Sequence, residues 1–359
     1  MVHTVIFKVT HACNLACRYC YAVDNKSKVV SRSILGSVIR ASVQLDADTV
    51  NFIWHGGEPL IAGLDFFAEA VAMQNAASDG TGKRYLNGLQ TNGTLVTPDI
   101  AEFFRDKQFA VGVSLDGPPH WHNRDRVTAR GNGTYEQALK GYQTLRSAGV
   151  APGVVCVIDP VDPPDAVQLV DWLEEIEADS VSLNAMFSRR AAPRGGQAIF
   201  LLNLEQELRR RRSLICVREL LFAGTTAEER DKQGILDACH PGWPCHETIS
   251  TVDEEGYIYF ACDRFLDKNL SERGAYRLGH IDNGGFPKAL SSPRYTELAS
   301  VARKDKDTCK QKCSSFGTCD GGCMADWMLL PAEQTQARPE VVYCQGLKVL
   351  SVSRIGIDA

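Results

Sequence analysis

Six apolar segments rich in β-forming residues alternate with segments of helical period through the first half of this chain. Strands are predicted at Val5–Thr10, Val50–His55, Tyr85–Gln90, Ala110–Leu115, Gly153–Ile158 and Ser180–Phe187. Helices are predicted at Ile34–Leu45, Leu64–Ala77, Pro98–Lys107, Tyr135–Ala148 and Ala166–Ala178, with Thr97, Thr134 and Asp162 near N-caps. Alternation of this kind specifies a parallel sheet with right-handed crossovers. We therefore predict an α/β fold, a partial (β/α)6 barrel similar to a TIM barrel, with function at the C-terminal strand ends.

The composition narrows the class of protein further. With 359 residues and 44% hydrophobic content the chain can bury the core of a barrel and of a smaller second domain. Its net charge of -5 argues against a nucleic-acid binder, which would show a basic excess. No apolar run approaches the roughly 18 residues that span a bilayer, and the N-terminus lacks a signal-peptide pattern. We therefore expect a cytoplasmic protein, in which 13 cysteines indicate metal ligands more than disulfides.

Three cysteines, Cys13, Cys17 and Cys20, stand on one short loop directly after the first predicted strand. A four-iron four-sulfur cluster needs one ligand per iron, so three thiols bind three irons and leave the fourth open. A zinc ion would need a fourth ligand to close its tetrahedron, and His11 could supply it. That alternative leaves the other strand-end motifs unexplained.

This spacing, with Tyr19 before the last cysteine, resembles the signature of the radical S-adenosylmethionine (radical SAM) superfamily. In that family the open iron chelates S-adenosylmethionine, which is cleaved to a 5′-deoxyadenosyl radical. The resemblance implies cofactor contacts on further strand-end motifs: the "GGEP" motif for the ammonium, "SLDG" for the ribose and methionine, and an arginine near the carboxylate. The implied cofactor-binding residues are Tyr19, Gly56, Gly57, Glu58, Pro59, Ser114, Asp116 and Arg126.

Each of these motifs also has a purely structural interpretation. "GGEP" alone is compatible with a simple turn, and Asp116-Gly117 with a turn that ends a strand. Gln90 and Asn92 are compatible both with contact to a substrate and with a structural polar pair.

Eight further cysteines in the second half resemble the SPASM extension, which holds two auxiliary four-iron four-sulfur clusters in peptide- and protein-modifying enzymes. The resemblance assigns the inner cluster to Cys239, Cys245, Cys262 and Cys323, and the outer cluster to Cys309, Cys313, Cys319 and Cys344. The spacings Gly256-x5-Cys262 and Cys309-x3-Cys313 depart from the usual pattern by one residue each. Zinc-ribbon sites are the alternative, although CxxC knuckles are missing. Cys156, in a strand, and Cys216, in a helix, are interpreted as core residues.

These assignments predict a barrel over residues 1–190, a helical linker over 191–235 and a SPASM domain over 236–359. The linker contains a predicted helix, Ala198–Phe222, and eight arginines lie between Ser188 and Arg218. Such a charge run indicates a solvated helix face, with docking of an acidic peptide as the alternative.

The motifs "FIWHGGEPL", "QTNGTL" and "SLDGPPHWHNRDR" resemble two groups of maturases. One is the anaerobic sulfatase-maturing enzymes; the other installs carbon–carbon crosslinks (cyclophanes) in ribosomally made precursor peptides. "WHGGEPL" and "GYIYFACDRF" favour the crosslinking group. Formylglycine formation from Cys or Ser, thioether formation and a nonenzymatic iron–sulfur electron carrier are the alternatives. We expect a peptide substrate and an electron donor such as flavodoxin or ferredoxin.

Asp263, directly after Cys262, is the predicted general base. A carboxylate beside an electron-accepting cluster can take the proton that a substrate radical must lose. The resemblance agrees, because sulfatase-maturing enzymes carry an aspartate base at the matching position. The structural alternative is that Asp263 pairs with Arg264 or caps a turn.

Overall fold

The computed structural model of the chain describes residues 1–20, 22–159, 162–186, 196–223, 245–266, 274–312, 316 and 323–329. These residues fall into two compact units. Unit 1 comprises Met1–Val113, Arg126–Pro152 and Pro244–Val301, and unit 2 comprises Ser114–Asp125, Gly153–Trp243 and Ala302–Ala359. The division predicted at residues 190 and 236 stays a prediction.

The described strands follow the predicted alternation through the first half and add four more. They are β1 (Val2–Thr10), β2 (Thr49–Gly56), β3 (Arg84–Thr91), β4 (Ala110–Ser114), β5 (Gly153–Ile158), β6 (Ser180–Ala185), β7 (Cys216–Val217), β8 (Ile249–Val252), β9 (Tyr257–Phe260) and β10 (Arg277–His280). The end predicted for the sixth strand, at Phe187, lies outside the described residues.

In unit 1, strands β1 to β4 pair in parallel in the order of the chain. On the other side of β1, β8 adds in parallel, and β9 and β10 continue as an antiparallel ladder. The chain therefore returns to β1 after the parallel strands, through β8, β9 and β10. In unit 2, β5, β6 and β7 pair in parallel.

The helices between the strands are α1 (Arg32–Ser42), α2 (Leu64–Thr81), α3 (Pro98–Asp106), α4 (Pro119–Asp125), α5 (Tyr135–Ser147), α6 (Ala166–Glu175), α7 (Gly196–Arg211) and α8 (Arg218–Ala223). Short helices at Cys245–Thr248, Gly285–Leu290 and Met324–Met328 and a longer one at Pro293–Lys312 complete the described set. No helix among the described residues is both long and apolar enough to span a bilayer.

The N-cap residues predicted from the sequence agree only in part with those of the structure. Thr97 caps α3 as predicted, by accepting from the Ile100 amide. Asp165, and not Asp162, caps α6. Thr134 precedes α5, but its hydroxyl donates to the Arg126 carbonyl oxygen, so it makes no side-chain cap.

The long helix predicted over Ala198–Phe222 is wrong. α7 stops at Arg211, and Arg212 takes a left-handed φ of 53° with the Ser213 amide donating back to the Leu208 carbonyl, which is a helix-ending geometry. The chain then forms β7 before α8 begins. Cys216 therefore lies in a strand and is exposed, contrary to its interpretation as a helical core residue, whereas Cys156 is buried in β5 as expected.

An aromatic cluster fills the core of unit 1 beside β2. Trp54 is fully buried and meets Phe66 and Phe67 of α2 edge to face, with ring centroids 5.8 and 6.0 Å apart. Its indole N–H donates to Asn87 Oδ1 at 2.8 Å, so the one polar group of this buried ring has a hydrogen-bond partner. This packing anchors β2, which carries the "GGEP" motif at its end.

Candidate functional site

The three-cysteine loop begins where β1 ends and is fastened by its backbone. The Ala16 amide donates to the Val127 carbonyl at 2.7 Å, and the Cys20 amide donates to the Cys17 carbonyl at 3.1 Å. Cys13 and Cys17 are half-buried and Cys20 is exposed. None of the eight cysteines whose side chains are described is in a disulfide, in agreement with a metal-binding use of the thiols.

The "GGEP" motif lies directly against this loop. The Gly57 amide donates to the Thr10 carbonyl at 2.8 Å, and the Glu58 amide donates to the Ala12 carbonyl at 2.9 Å. A Cβ atom on Gly56 would lie 2.1 Å from the Thr10 oxygen, and one on Gly57 would lie 2.2 Å from the Ala12 oxygen. Both positions therefore require glycine, since any side chain would push the cysteine loop away.

Glu58 ties the same motif to the end of β3. Its carboxylate is fully buried and accepts from the Leu60 amide at 3.0 Å, the Thr91 hydroxyl at 2.8 Å and the Asn92 amide at 2.7 Å. Burial raises the pKa of Glu58 to about 7, and the three donors partly oppose that rise. Pro59 follows as the first residue of a 3-10 helix, Pro59–Ala62.

Asn92 extends this connection to the cysteine loop. Its Nδ2 lies 2.9 Å from Asn14 Oδ1 and 3.8 Å from Cys13 Sγ. Of the two interpretations of Asn92, these contacts favour the structural one, because the side chain is already used in holding the loop.

Tyr19 and Arg126, both predicted to bind the cofactor, lie together in unit 1. The guanidinium carbon of Arg126 is 5.5 Å from the centroid of the Tyr19 ring, within cation–π range. Arg126 is buried, and its carbonyl accepts from Thr134. The stretch from Arg126 to Val127 thus supports the loop through both its backbone and a side chain.

The loop's chemistry fits an iron–sulfur cluster. Burial, together with the nearby charges of Glu58, Cys17 and Cys20, raises the pKa of the Cys13 thiol to about 12, although the hydrogen bond from the Leu15 amide opposes the rise. Three thiolates so placed repel one another, and bound iron would offset that repulsion. The Leu15 amide, 3.4 Å from Cys13 Sγ, and Asn92 Nδ2 are donors of the kind that stabilise cluster sulfurs.

A single metal ion fits less well. Among the described residues, no three His, Cys, Asp or Glu side chains converge on one ion position. His11, the ligand that a zinc site would need, has its Nδ1 2.6 Å from Glu254 Oε2, and Ser27 holds the other oxygen of that carboxylate at 2.7 Å. His11 therefore serves to join the loop to the turn between β8 and β9.

Asp263 lies in unit 1 with a partner that the sequence did not indicate. Its Oδ2 is 2.6 Å from the Nζ of Lys8 in β1, and Lys8 Nζ is also 3.0 Å from Nδ1 of His55 in β2. Both the general-base and the structural interpretation named other neighbours, so the Lys8 contact is new. The signal available in the sequence was a lone lysine within the apolar run of the first strand.

Ser114 and Asp116, both predicted to bind the cofactor, belong to unit 2. Ser114 ends β4. Asp116 is buried, and its Oδ1 accepts from the Val157 amide of β5 at 2.8 Å. Gly117, with φ 98°, turns the chain where a Cβ would meet the Trp121 ring at 2.6 Å. Asp116-Gly117 thus forms a strand-ending turn, beside a cavity of about 330 Å³ whose lining includes Asp116, Trp121 and Arg124.

The predicted auxiliary ligands are described only in part. Cys245 begins the helix Cys245–Thr248 and Cys262 follows β9, both in unit 1 and half-buried. Cys323, in unit 2, directly precedes the helix Met324–Met328. The backbone of Cys309 lies in the helix Pro293–Lys312. Cys239, Cys313, Cys319 and Cys344 lie outside the described residues, so both ligand sets stay predictions.

The arginines of α7 are paired within unit 2. Arg209 and Arg210, which are largely exposed, pair with Glu205 and Glu207 of the same helix. Arg211 is only 17% exposed and reaches Asp171 of α6 at 2.6 Å. These pairs favour the solvated-helix interpretation over docking of an acidic peptide.

Comparisons with known proteins agree with this site. Residues 7–173 match the family model of the Radical SAM superfamily. A serine-type anaerobic sulfatase-maturating enzyme of Klebsiella aerogenes is 29% identical over 339 residues, which cover 90% of this chain and 80% of that enzyme. Native anSMEcpe with bound AdoMet and Kp18Cys peptide matches with a TM-score of 0.81 at 22% identity, covering 100% of this chain and 99% of that one. Streptococcus suis SuiB bound to precursor peptide SuiA matches with a TM-score of 0.63 at 13% identity, covering 91% and 73%.

The predicted α/β fold class is confirmed, because the match to the fold of anSMEcpe extends along the whole chain and residues 7–173 match the radical SAM family model. The family match implies one four-iron four-sulfur cluster and S-adenosylmethionine, which the three-cysteine loop and the strand-end residues fit. Residues 7–173 therefore form a radical SAM domain, and the chain is homologous to the anaerobic sulfatase-maturating enzymes.

Proposed function

We propose that this chain is a radical SAM enzyme that oxidises a side chain of a precursor peptide and forms a carbon–carbon crosslink in it. One observation carries the proposal: Lys8 and His55 bring Asp263 to the ends of β1 and β2, from which the cysteine loop and "GGEP" continue. A carboxylate is thus available beside the predicted radical site. The peptide substrate is supported by the related structures, which are described with a bound peptide.

The chain's residues divide into those that hold the cofactors and those that act on the peptide. Cys13, Cys17 and Cys20 would hold the cluster, and the cofactor contacts would come from Tyr19, Gly56, Gly57, Glu58, Pro59, Ser114, Asp116 and Arg126. When bound, the cluster and S-adenosylmethionine would supply a 5′-deoxyadenosyl radical that takes one hydrogen atom from a peptide side chain. Glu58 acts indirectly, since its oxygens already accept from Leu60, Thr91 and Asn92.

Asp263 takes the proton that the peptide must still lose. After one hydrogen atom is removed, ring attack by the carbon radical forms the new carbon–carbon bond. Loss of one ring proton to Asp263 and of one electron, which the predicted inner auxiliary cluster would accept, restores the aromatic ring. The product is two hydrogens lighter in all. The contact with Lys8 Nζ holds this carboxylate in one place, from which it can accept that proton.

The second predicted feature of the site is a pair of auxiliary clusters. Their ligands would be Cys239, Cys245, Cys262 and Cys323 for the inner one, and Cys309, Cys313, Cys319 and Cys344 for the outer one. Asp263 then stands next to an inner-cluster ligand. A flavodoxin or ferredoxin would be the external electron donor.

Formylglycine formation is the second candidate, and the printed names of the relatives favour it, since they are serine-type and cysteine-type sulfatase-maturating enzymes. It also removes two hydrogens from a peptide side chain and also needs a base. The residues that favour the crosslink are His55 in "WHGGEPL" and the "GYIYFACDRF" segment around Asp263.

One assay separates these activities. Anaerobically reconstituted protein receives S-adenosylmethionine, dithionite and either the Kp18Cys peptide or a synthetic peptide with repeated aromatic residues. We expect release of 5′-deoxyadenosine and an aromatic peptide lighter by two hydrogens, with altered aromatic proton signals and no reaction with an aldehyde probe. An aldehyde on the Kp18Cys peptide would instead identify formylglycine formation. Absence of 5′-deoxyadenosine with either peptide would contradict both enzyme activities and favour the iron–sulfur electron carrier.

A further inference from the structure

Lys8 is an exception to the pattern of its strand. β1 carries a run of buried apolar residues, yet the side chain of Lys8 is only 1% exposed within it. Burying an ammonium costs several kcal/mol unless it is paired and hydrogen-bonded. A lysine at this position therefore has a task that an apolar residue could not perform.

The Lys8 ammonium contacts two side chains from different parts of unit 1. It donates to Asp263 Oδ2 at 2.6 Å, across 255 residues of sequence, and lies 3.0 Å from His55 Nδ1. His55 is its direct neighbour in the β1–β2 register. Since His55 Nδ1 is 4.0 Å from Asp263 Oδ2, the three groups form one compact cluster.

The donors around His55 fix the position of its proton. Nδ1 faces the Lys8 ammonium and also accepts from the Gly56 amide at 2.8 Å, so two donors point at the same nitrogen. An imidazole nitrogen that accepts carries no proton, and the ring must then carry its hydrogen on Nε2. Burial and the charge of Lys8 lower the pKa of His55 to about 4, so the ring stays neutral near pH 7.

We propose that Lys8 is a positioning residue, which holds the Asp263 carboxylate in one place and keeps His55 as a neutral donor through Nε2–H. This inference rests on the proposed function, because it gives Asp263 a base's task. The peptide would meet an acceptor for its proton and a hydrogen-bond donor whose relative positions one ammonium sets. Lys8 itself takes no part in bond making or breaking.

The first test is a double-mutant cycle on product formation. It compares Lys8→Met, Asp263→Asn and the double variant, with the exposed Lys140→Met of α5 as the matched control. The measured quantity is modified peptide per 5′-deoxyadenosine, using the peptide that the wild type modifies. We expect Lys8→Met to lower this ratio at least about tenfold, within the range of lost acid–base catalysis. Adding it to Asp263→Asn should lower the ratio less than it does in the wild type, because the part of its effect that acts through Asp263 is already lost and only the part through His55 remains.

The double-mutant cycle remains informative if one of the single variants does not fold. If Lys8→Met alone loses this ion pair and fails to fold, the comparison of Asp263→Asn with the double variant decides, since Asp263→Asn leaves Lys8 its His55 contact and the double variant carries neither member of the pair. A ratio within twofold of the wild type in Lys8→Met, or the same fold loss from Lys8→Met with and without Asp263→Asn, would overturn the positioning role. Product formed normally by Asp263→Asn would instead contradict the base assignment.

The second test needs no turnover. In ¹⁵N-histidine-labelled protein, the ring signals of His55 are assigned by their loss in His55→Gln. We expect an unprotonated Nδ1 between pH 6 and 8 in the wild type, and a displaced Nδ1 signal in Lys8→Met but not in Lys140→Met. An unchanged Nδ1 signal in folded Lys8→Met would show that Lys8 does not set the imidazole, whatever the enzyme's product is.

Discussion

Glu58 and Asp263 are two carboxylates of unit 1 that are withdrawn from water but held by different donors. Glu58 is fully buried and accepts from two backbone amides and one hydroxyl, all uncharged. Asp263 keeps 15% of its side chain exposed and accepts from the ammonium of Lys8. The first connects loops that follow β2 and β3; the second connects the segment after β9 to β1.

The difference in donors indicates a difference in task. Uncharged donors on both oxygens of Glu58 fix the backbone of "GGEP" against the cysteine loop, and burial still raises the pKa of Glu58 to about 7. The Lys8 ammonium instead fixes one oxygen of an Asp263 carboxylate that stays partly exposed. Glu58 therefore holds loop structure, whereas the role that we propose for Asp263 is chemical.

Removing the three thiols of the loop that Glu58 supports has the largest expected effect on activity. The triple change of Cys13, Cys17 and Cys20 to Ala should abolish 5′-deoxyadenosine formation, because no iron remains to bind the cofactor. Iron analysis should fall from about twelve to about eight atoms per chain, the content of two remaining four-iron clusters. About four atoms per chain in the unmodified protein would contradict the prediction of two auxiliary clusters.

Replacing Asp263 with Asn tests the chemical side of the comparison. Asn keeps the size and removes the proton acceptor, so peptide product should fall by about 10²-fold or more while 5′-deoxyadenosine continues to form. Both compounds are quantified by liquid chromatography with mass detection, with iron content as the control for intact clusters. Near-normal product would mean that Asp263 is as structural as Glu58.

Local spacing in the sequence was enough for part of this site. The cysteine loop, "GGEP" and Asp263 are each recognised from a few neighbouring residues, and the strand–helix alternation predicted the parallel strands because burial imposes its period locally. The contacts of Lys8 with Asp263 and of His11 with Glu254 join residues 255 and 243 positions apart. No local pattern encodes such pairs, because they depend on β8 adding to β1.

The same limit explains the wrong predictions. The helix over Ala198–Phe222 has suitable composition, but the left-handed residue Arg212 and the pairing of Cys216 with Ser180 of β6 end it early. Tertiary pairing there outweighs helix propensity. Asp162 and Asp165 are equally good N-cap residues by type, and only the position where α6 docks selects Asp165.

Replacing Glu58 with Gln tests the structural side. An amide nitrogen in place of one carboxylate oxygen cannot accept, so one of the N–H or O–H donors that Glu58 satisfies would be left buried without a partner. We expect a loss of about 1–3 kcal/mol in the free energy of unfolding, measured by urea denaturation at pH 7. The exposed Glu102→Gln of α3 is the control, with no change expected. Equal stability of both variants would show that the loop does not depend on the Glu58 carboxylate.

The smallest expected effect is on the pH dependence of stability. The pKa of Glu58 lies near 7 in the folded protein against an ordinary value of 4.5 for a glutamate, so between these pH values the folded state binds more protons than the unfolded state. Stability contributed by Glu58 is therefore greatest below pH 4.5 and falls as pH rises towards 7, by at most about 1.4 kcal/mol per pH unit. Subtracting the urea unfolding free energies of Glu58→Gln from those of the wild type at pH 5, 6 and 7 isolates this contribution, because all other groups cancel. A difference that stays constant across the three pH values would mean that the Leu60, Thr91 and Asn92 donors fully compensate the burial of Glu58, and that neutral donors hold this carboxylate without the charged partner that Asp263 has.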